Sequence, residues 1–158
     1  LGCELFKLAT GAPLTHVPYK GGGPAMTDLL GGQVQMMFDN MASALPQIKA
    51  GKLKAFAVTT PKRSALAPVL STMAEAGIKD FDVFTWWGVF APAGTAPELV
   101  KRLSVQIGKA LAAPDLREKW LASGAEPSAS TPEEFRTFIG TELPKYARIV
   151  RESGARVD

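Results

Sequence analysis

The sequence predicts an α/β protein, and three observations carry that prediction. Near-continuous apolar runs at residues 34–38 and 53–59 read as strands buried on both faces, the habit of parallel sheets. Helical segments alternate with such runs across residues 14–59, the succession of βαβ units. The first strand, at 14–19, hands over to the next helix through Gly21-Gly22-Gly23-Pro24, a junction typical of α/β ligand crevices.

Each element has a local reason. Leu5, Leu8 and Ala9 fall at helical spacing in residues 1–10, and Gly11 and Pro13 close that helix. Residues 14–19 are β-branched or aromatic, with Pro18 holding Val17 away from the helical region. Pro24 suits the first turn of a helix at 25–30, which Gly31-Gly32 ends. The strand at 34–38 stops at Asp39-Asn40, a helix at 42–50 runs to Gly51, and the strand at 53–59 follows. A polar loop, 62–68, leads to a short helix at 72–76 stopped by Gly77. Residues 82–90, containing Trp86-Trp87-Gly88, read as a long strand.

From Pro97 the texture changes to amphipathic helices. Leu99, Leu103, Ile107 and Leu111 form an apolar stripe on a helix that stops near Pro114. A shorter helix, 116–121, ends at Gly124. Thr131-Pro132-Glu133-Glu134 is a capping-box pattern with proline at the first helical position. The helix it opens carries Phe135, Phe138, Ile139, Leu143, Tyr146, Ile149 and Val150 on one face, and Pro144 is expected to kink it. The C-terminal helices have too few strands nearby to cover, so part of the fold is expected upstream of Leu1.

Composition excludes several functions. Of 158 residues 46% are hydrophobic and 21% charged, an ordinary globular balance. The net charge of +3 is spread without a basic run or interleaved aromatics, against nucleic-acid binding. One cysteine and one histidine build neither an internal disulfide nor a zinc site. No apolar run reaches the roughly 18 residues of a membrane span, so membrane insertion is not expected. No signal peptide is visible, but the chain starts at Leu1 without an initiator Met, so this says nothing about compartment.

The glycine run is the leading candidate site. Consecutive glycines let backbone N–H groups approach a ligand, and the helix N-terminus beyond them favours an anion. No Gly-Lys-Ser/Thr closes a phosphate loop, and Met26 stands where a dinucleotide fingerprint has its third glycine. No Gly-x-Ser-x-Gly elbow exists. Cys3 reads as a packed thiol, His16 as a hydrogen-bonded structural residue and Asp28 as solvated or capping. Asp39 ends a buried strand, where it either lines a ligand crevice or satisfies its own loop amides. One of Trp86 and Trp87 is expected to pack, and the role of the other stays open. No catalytic constellation emerges, and no cofactor or metal is implied.

An ordered set of motifs is more specific than any of these. His16-Val17-Pro18-Tyr19-Lys20-Gly21 and Asp28-Leu29-Leu30-Gly31-Gly32-Gln33 are followed by Phe38-Asp39-Asn40 and Lys49-Ala50-Gly51-Lys52-Leu53. Met73-Ala74-Glu75-Ala76-Gly77, Trp87-Gly88, Phe90-Ala91-Pro92-Ala93-Gly94-Thr95 and Thr131-Pro132-Glu133-Glu134-Phe135 continue it. Together they resemble the Bug family of solute-binding proteins, receptors of tripartite tricarboxylate transporters, over essentially the whole chain. Cys3, Pro144 and the loosely matching 65–70 are modest departures.

The resemblance implies a periplasmic-binding-protein fold of type II, in which two α/β lobes close on a ligand. Residues 1–83 would be one lobe, and 84–158 a crossover strand with C-terminal helices belonging to the other, whose N-terminal portion is absent. It implies a small organic carboxylate as ligand: a di- or tricarboxylate, an amino acid or an aromatic acid. Carried to matching positions, the ligand contacts are Tyr19, Lys20, Gly21, Gly22, Gly23, Pro24, Asp39 and Asn40. Implied partners are the membrane components of the transporter or a sensor kinase, and the implied location is the periplasm. Two readings stand beside this one: an enzyme acting on an anionic substrate at the glycine loop, and a binding-deficient fragment with half a cleft.

Overall fold

The computed structural model describes residues 1–154 and is a helix-rich α/β structure. Its elements are α1 (Gly2–Thr10), α2 (Gly22–Leu30), α3 (Met41–Lys49), β1 (Ala57–Val58), β2 (Ser71–Thr72), α4 (Pro97–Ala112), α5 (Pro114–Ala122) and α6 (Pro132–Ser153). The described residues divide into two compact units. The first comprises Leu1–Thr85 with residues 149–154, and the second Trp86–Arg148.

The first unit is built around a small apolar core. Leu5 of α1, Met73, Phe81 and Ile149 are buried together, with Phe6, Phe38, Ala57, Ile78 and Val83 packed against them. Phe6, Phe38 and Phe81 form a ring triad with centroids 5.6–6.2 Å apart, a separation at which aromatic pairs attract beyond simple burial. A Cβ at Gly2 would stand 2.9 Å from Phe38 Cγ, so only glycine lets α1 start against that ring. Helix α1 ends as predicted at Gly11, whose φ of 67° is left-handed and whose N–H donates to the Lys7 carbonyl at 2.8 Å. Glu4 pairs with Lys7 at 3.1 Å and lies 3.3 Å from His16 Nδ1, so His16 has a structural partner.

The sheet is much smaller than the sequence suggests. Among the described residues only β1 and β2 pair, in parallel, with Ala57 opposite Ser71 and Val58 opposite Thr72; the Met73 N–H donates to the Val58 carbonyl at 3.0 Å. The strand expected at 53–59 shrinks to those two residues, and segments 14–19, 34–38 and 82–90 carry no strand at all. A strand requires a neighbour that supplies donors and acceptors along its edge. Apolarity marks these segments as fit for a sheet, but among the described residues no chain pairs with them.

The helix expected at 72–76 is also corrected. Ser71 and Thr72 enter the sheet, and a single hydrogen-bonded turn follows. Thr72 and Glu75 exchange side-chain and backbone bonds at 2.8 and 3.1 Å, which looks like a helix cap but closes one turn only. Arg63 Nε donates to both Glu75 oxygens, at 2.9 Å to the Oε2 that Thr72 also reaches and at 3.1 Å to Oε1.

In the second unit α4 and α5 pack on each other, and Pro97 and Pro114 occupy their first turns. Trp86 meets Phe135 and Phe138 of α6 edge-on at 5.7 and 5.2 Å, and Phe90 meets Phe135 at 5.4 Å. Trp86 is therefore the packed tryptophan of the pair, while Trp87 is 75% exposed. The capping box at Thr131 forms: Glu134 Oε2 accepts from the Thr131 N–H at 2.8 Å, and Thr131 Oγ1 accepts from the Glu134 N–H at 3.2 Å. Helix α6 continues through Pro144 without interruption. On the α4 stripe Ile107 and Leu111 are half-buried, but Leu99 and Leu103 are exposed.

Candidate functional site

The site is assembled at the start of α2. Gly21 is the residue before the helix and has φ 106° and ψ 172°, a region essentially closed to side chains larger than hydrogen. The sequence reading treats Gly21, Gly22 and Gly23 alike as loop; the structure places Gly22 and Gly23 inside α2, so the turn is one residue long. Pro24 occupies the third helical position and brings no N–H. The N–H groups of Gly21, Gly22 and Gly23 have no acceptor four residues back, and hydrogen bonds among the described residues leave all three unfilled. Three N–H groups without acceptors thus stand at the positive end of the helix dipole.

The chain leading into α3 comes beside this terminus. A Cβ on Gly22 would lie 3.7 Å from Asp39 Oδ1, so residues seventeen positions apart meet across the site. Asp39 is half-buried. Its Oδ2 accepts from Ser43 Oγ at 2.5 Å, while Oδ1 faces Gly22. One oxygen is held by the Ser43 hydroxyl rather than by loop amides, and the other lies against the start of α2. Asn40 caps α3 with its backbone, its carbonyl accepting from the Ser43 and Ala44 N–H groups at 3.2 and 3.1 Å. Its side-chain Oδ1 accepts from Thr85 Oγ1 at 2.9 Å.

Tyr19 and Lys20 flank the site differently. Tyr19 Oη donates to Asp28 Oδ2 at 2.7 Å across the first turns of α2. That bond, followed by burial and the Asp28 charge, raises the Tyr19 pKa above the ordinary phenol value. Asp28 is thereby corrected from a solvated or capping residue to the anchor of Tyr19. Lys20 is exposed beside Gly21 and adds positive charge to the rim.

Sequence reasoning missed Ser43 and Thr85 and gave Asp28 a different role. Ser43 was accessible as the i+4 partner of Asp39. Thr85 was not, since 45 residues separate it from Asn40. Chemically the arrangement offers backbone donors for an anion, one carboxylate acceptor and one amide. Among the described residues no group of histidine, cysteine, aspartate and glutamate is placed to hold a metal ion. Nor, among the described residues, is any helix long and apolar enough to cross a membrane.

The class that fold and site define is thus an α/β scaffold with a glycine-opened helix N-terminus beside a polar helix entry. Residues 1–155 match the tripartite tricarboxylate transporter family receptor, and the chain belongs to that family. It is 42% identical over 154 residues to the protein BugT of Bordetella pertussis, covering 98% of this chain and 47% of BugT. Among solved structures it is similar to R. palustris Rpa4515 with adipate, at 34% identity and a TM-score of 0.79, covering 97% of this chain and 51% of that one. It is similar also to the periplasmic binding protein BugD, at 37% identity and a TM-score of 0.75, covering 97% and 52% respectively. The chain thus spans about half the length of these relatives, and the fold resemblance expected from the sequence holds over nearly all of it.

Proposed function

We propose that this chain carries ligand-binding surface of an extracytoplasmic solute receptor, which captures a small organic carboxylate and delivers it to a tripartite tricarboxylate transporter. The observation that carries this reading is the approach of Asp39 Oδ1 to the start of α2 at Gly22. It joins three unfilled N–H donors to a polar helix entry within one unit. A ligand carboxylate takes the N–H groups of Gly21, Gly22 and Gly23, and a hydroxyl or ammonium on the same ligand donates to Asp39. Lys20 adds attraction from the rim.

In this reading residues 1–83 form one lobe of the receptor, and 84–158 a crossover with helices of the other. Family membership supports a receptor without turnover, and the likeness to BugD supports a periplasmic location. The partners are the transporter's membrane components or a sensor kinase. Calorimetric titration of the chain with adipate, malate, aspartate and benzoate tests it. The expected result is saturable binding of at least one, with the ligand recovered chemically unchanged. Conversion of a panel member, abolished by Asp39→Ala, overturns the receptor in favour of an enzyme.

A further inference from the structure

Asn40 is an asparagine at a helix N-cap that does not use its side chain as a cap. Such a side chain ordinarily folds back to accept from the second or third helical N–H. Here no side-chain cap bond forms, and Oδ1 is taken by Thr85 Oγ1 at 2.9 Å. Two consequences follow from the amide's chemistry. With its oxygen committed to Thr85, its other end, Nδ2 with two donors, is turned away from Thr85; among the described residues Nδ2 meets no acceptor. The N–H groups of Met41 and Ala42 at the start of α3 are also left without acceptors among the described residues.

We propose that Thr85 is a positioning residue for the carboxylate site: its hydroxyl holds the Asn40 amide off its own helix, so that Nδ2 and the start of α3 stay open to the ligand. This rests on the receptor reading. Without the Thr85 hydroxyl, Asn40 Oδ1 turns back onto the α3 N–H groups, as asparagine caps normally do, which takes those N–H groups from an anion and moves Nδ2 out of its present place. Thr85 is also the last residue of the first unit before the chain leaves for the second, so the segment that leaves the unit is fastened to the site by this bond.

The inference makes stability and binding move in opposite directions, which a merely structural threonine does not do. Thr85→Val, close to isosteric, is expected to weaken adipate or malate binding about three- to tenfold, the worth of one hydrogen bond. Its melting temperature stays level or rises, because α3 gains a cap. Hydrogen exchange at the Ala42 and Ser43 amides slows, and the Asn40 side-chain amide resonances shift. Thr85→Ser, which keeps the hydroxyl, restores wild-type affinity and resonances. In the Asn40→Ala background Thr85→Val costs no further affinity. A Thr85→Val chain with wild-type affinity, or with unshifted Asn40 resonances, overturns the inference. A wild-type chain that binds no member of the panel, while its Asn40 amide still responds to Thr85→Val, overturns the receptor reading instead.

Discussion

At the scale of single residues, adjacent glycines of the site do different work. Gly21 holds a backbone conformation that costs another residue about 1–3 kcal/mol, so Gly21→Ala is expected to lower stability by that order in chemical denaturation. Gly23 lies inside α2 with nothing within 4 Å of its Cβ position. Gly23→Ala should therefore gain about 0.5–1 kcal/mol from helix propensity. The added Cβ stands beside an N–H that receives the carboxylate, so adipate affinity measured by calorimetry should fall while stability rises. Gly88 makes a third case: a Cβ there collides with the Phe135 ring that Trp86 and Phe90 also enclose. Gly88→Ala should broaden the near-ultraviolet signal of that aromatic cluster and lower the melting temperature. The sequence showed three glycines in a row, yet only backbone angles separate the one that must be glycine from those that merely are.

At the scale of elements, the six described helices were legible, though a seventh at 72–76 did not form, and of the strands only a piece of 53–59 was. Helix α6 begins where its capping box predicted because donor, acceptor and proline all lie within four residues. The bond from the Thr131 backbone N–H, followed by that from the Thr131 hydroxyl, lowers the Glu134 pKa below its ordinary value. Glu75 is lowered in the same direction, first by the Thr72 N–H and then by Arg63. Groups with depressed folded pKa values stabilise the fold above their unfolded pKa, and this stabilisation is lost as pH falls through the folded value. The melting temperature should therefore drop on acidification below the ordinary glutamate range. Glu134→Gln together with Glu75→Gln should shrink that drop, measured by thermal scans across acidic pH. A flat pH dependence in the wild type contradicts these assignments. Segments 14–19, 34–38 and 82–90 have strand composition but no strand, because a ladder depends on a second segment that their own residues do not specify.

At the scale of the molecule, each unit buries little apolar surface. In the second, Trp87, Val89 and Phe90 are 68–75% exposed, and Leu99 and Leu103 join them in exposure. Burying such side chains is worth about 1.5–3 kcal/mol each, so this surface should bind an apolar dye such as anilinonaphthalene sulfonate. Trp87 should be quenched readily by acrylamide, and Trp87→Phe should remove the most quenchable emission. Leu99→Lys with Leu103→Lys should reduce dye binding with little loss of melting temperature, since neither residue is buried. Unchanged dye binding in that variant would locate the exposed patch elsewhere.

By itself the sequence determined where the six described helices lie, the capping box of α6, the absence of phosphate-loop and nucleophile-elbow motifs, and the family, because each rests on residues close together or on motifs in order; the extra helix at 72–76 and the start of α2 were its misses. It also marked Gly21–Pro24 and Asp39-Asn40 as polar junctions. Only the tertiary structure decided that Gly22 and Asp39 meet, that Asp28 holds Tyr19 and that Thr85 takes the oxygen of Asn40. Contacts between distant segments depend on how helices and loops pack, and side-chain chemistry along the chain does not encode that distance. The anion cradle was written in the glycines; the polar wall beside it required the fold.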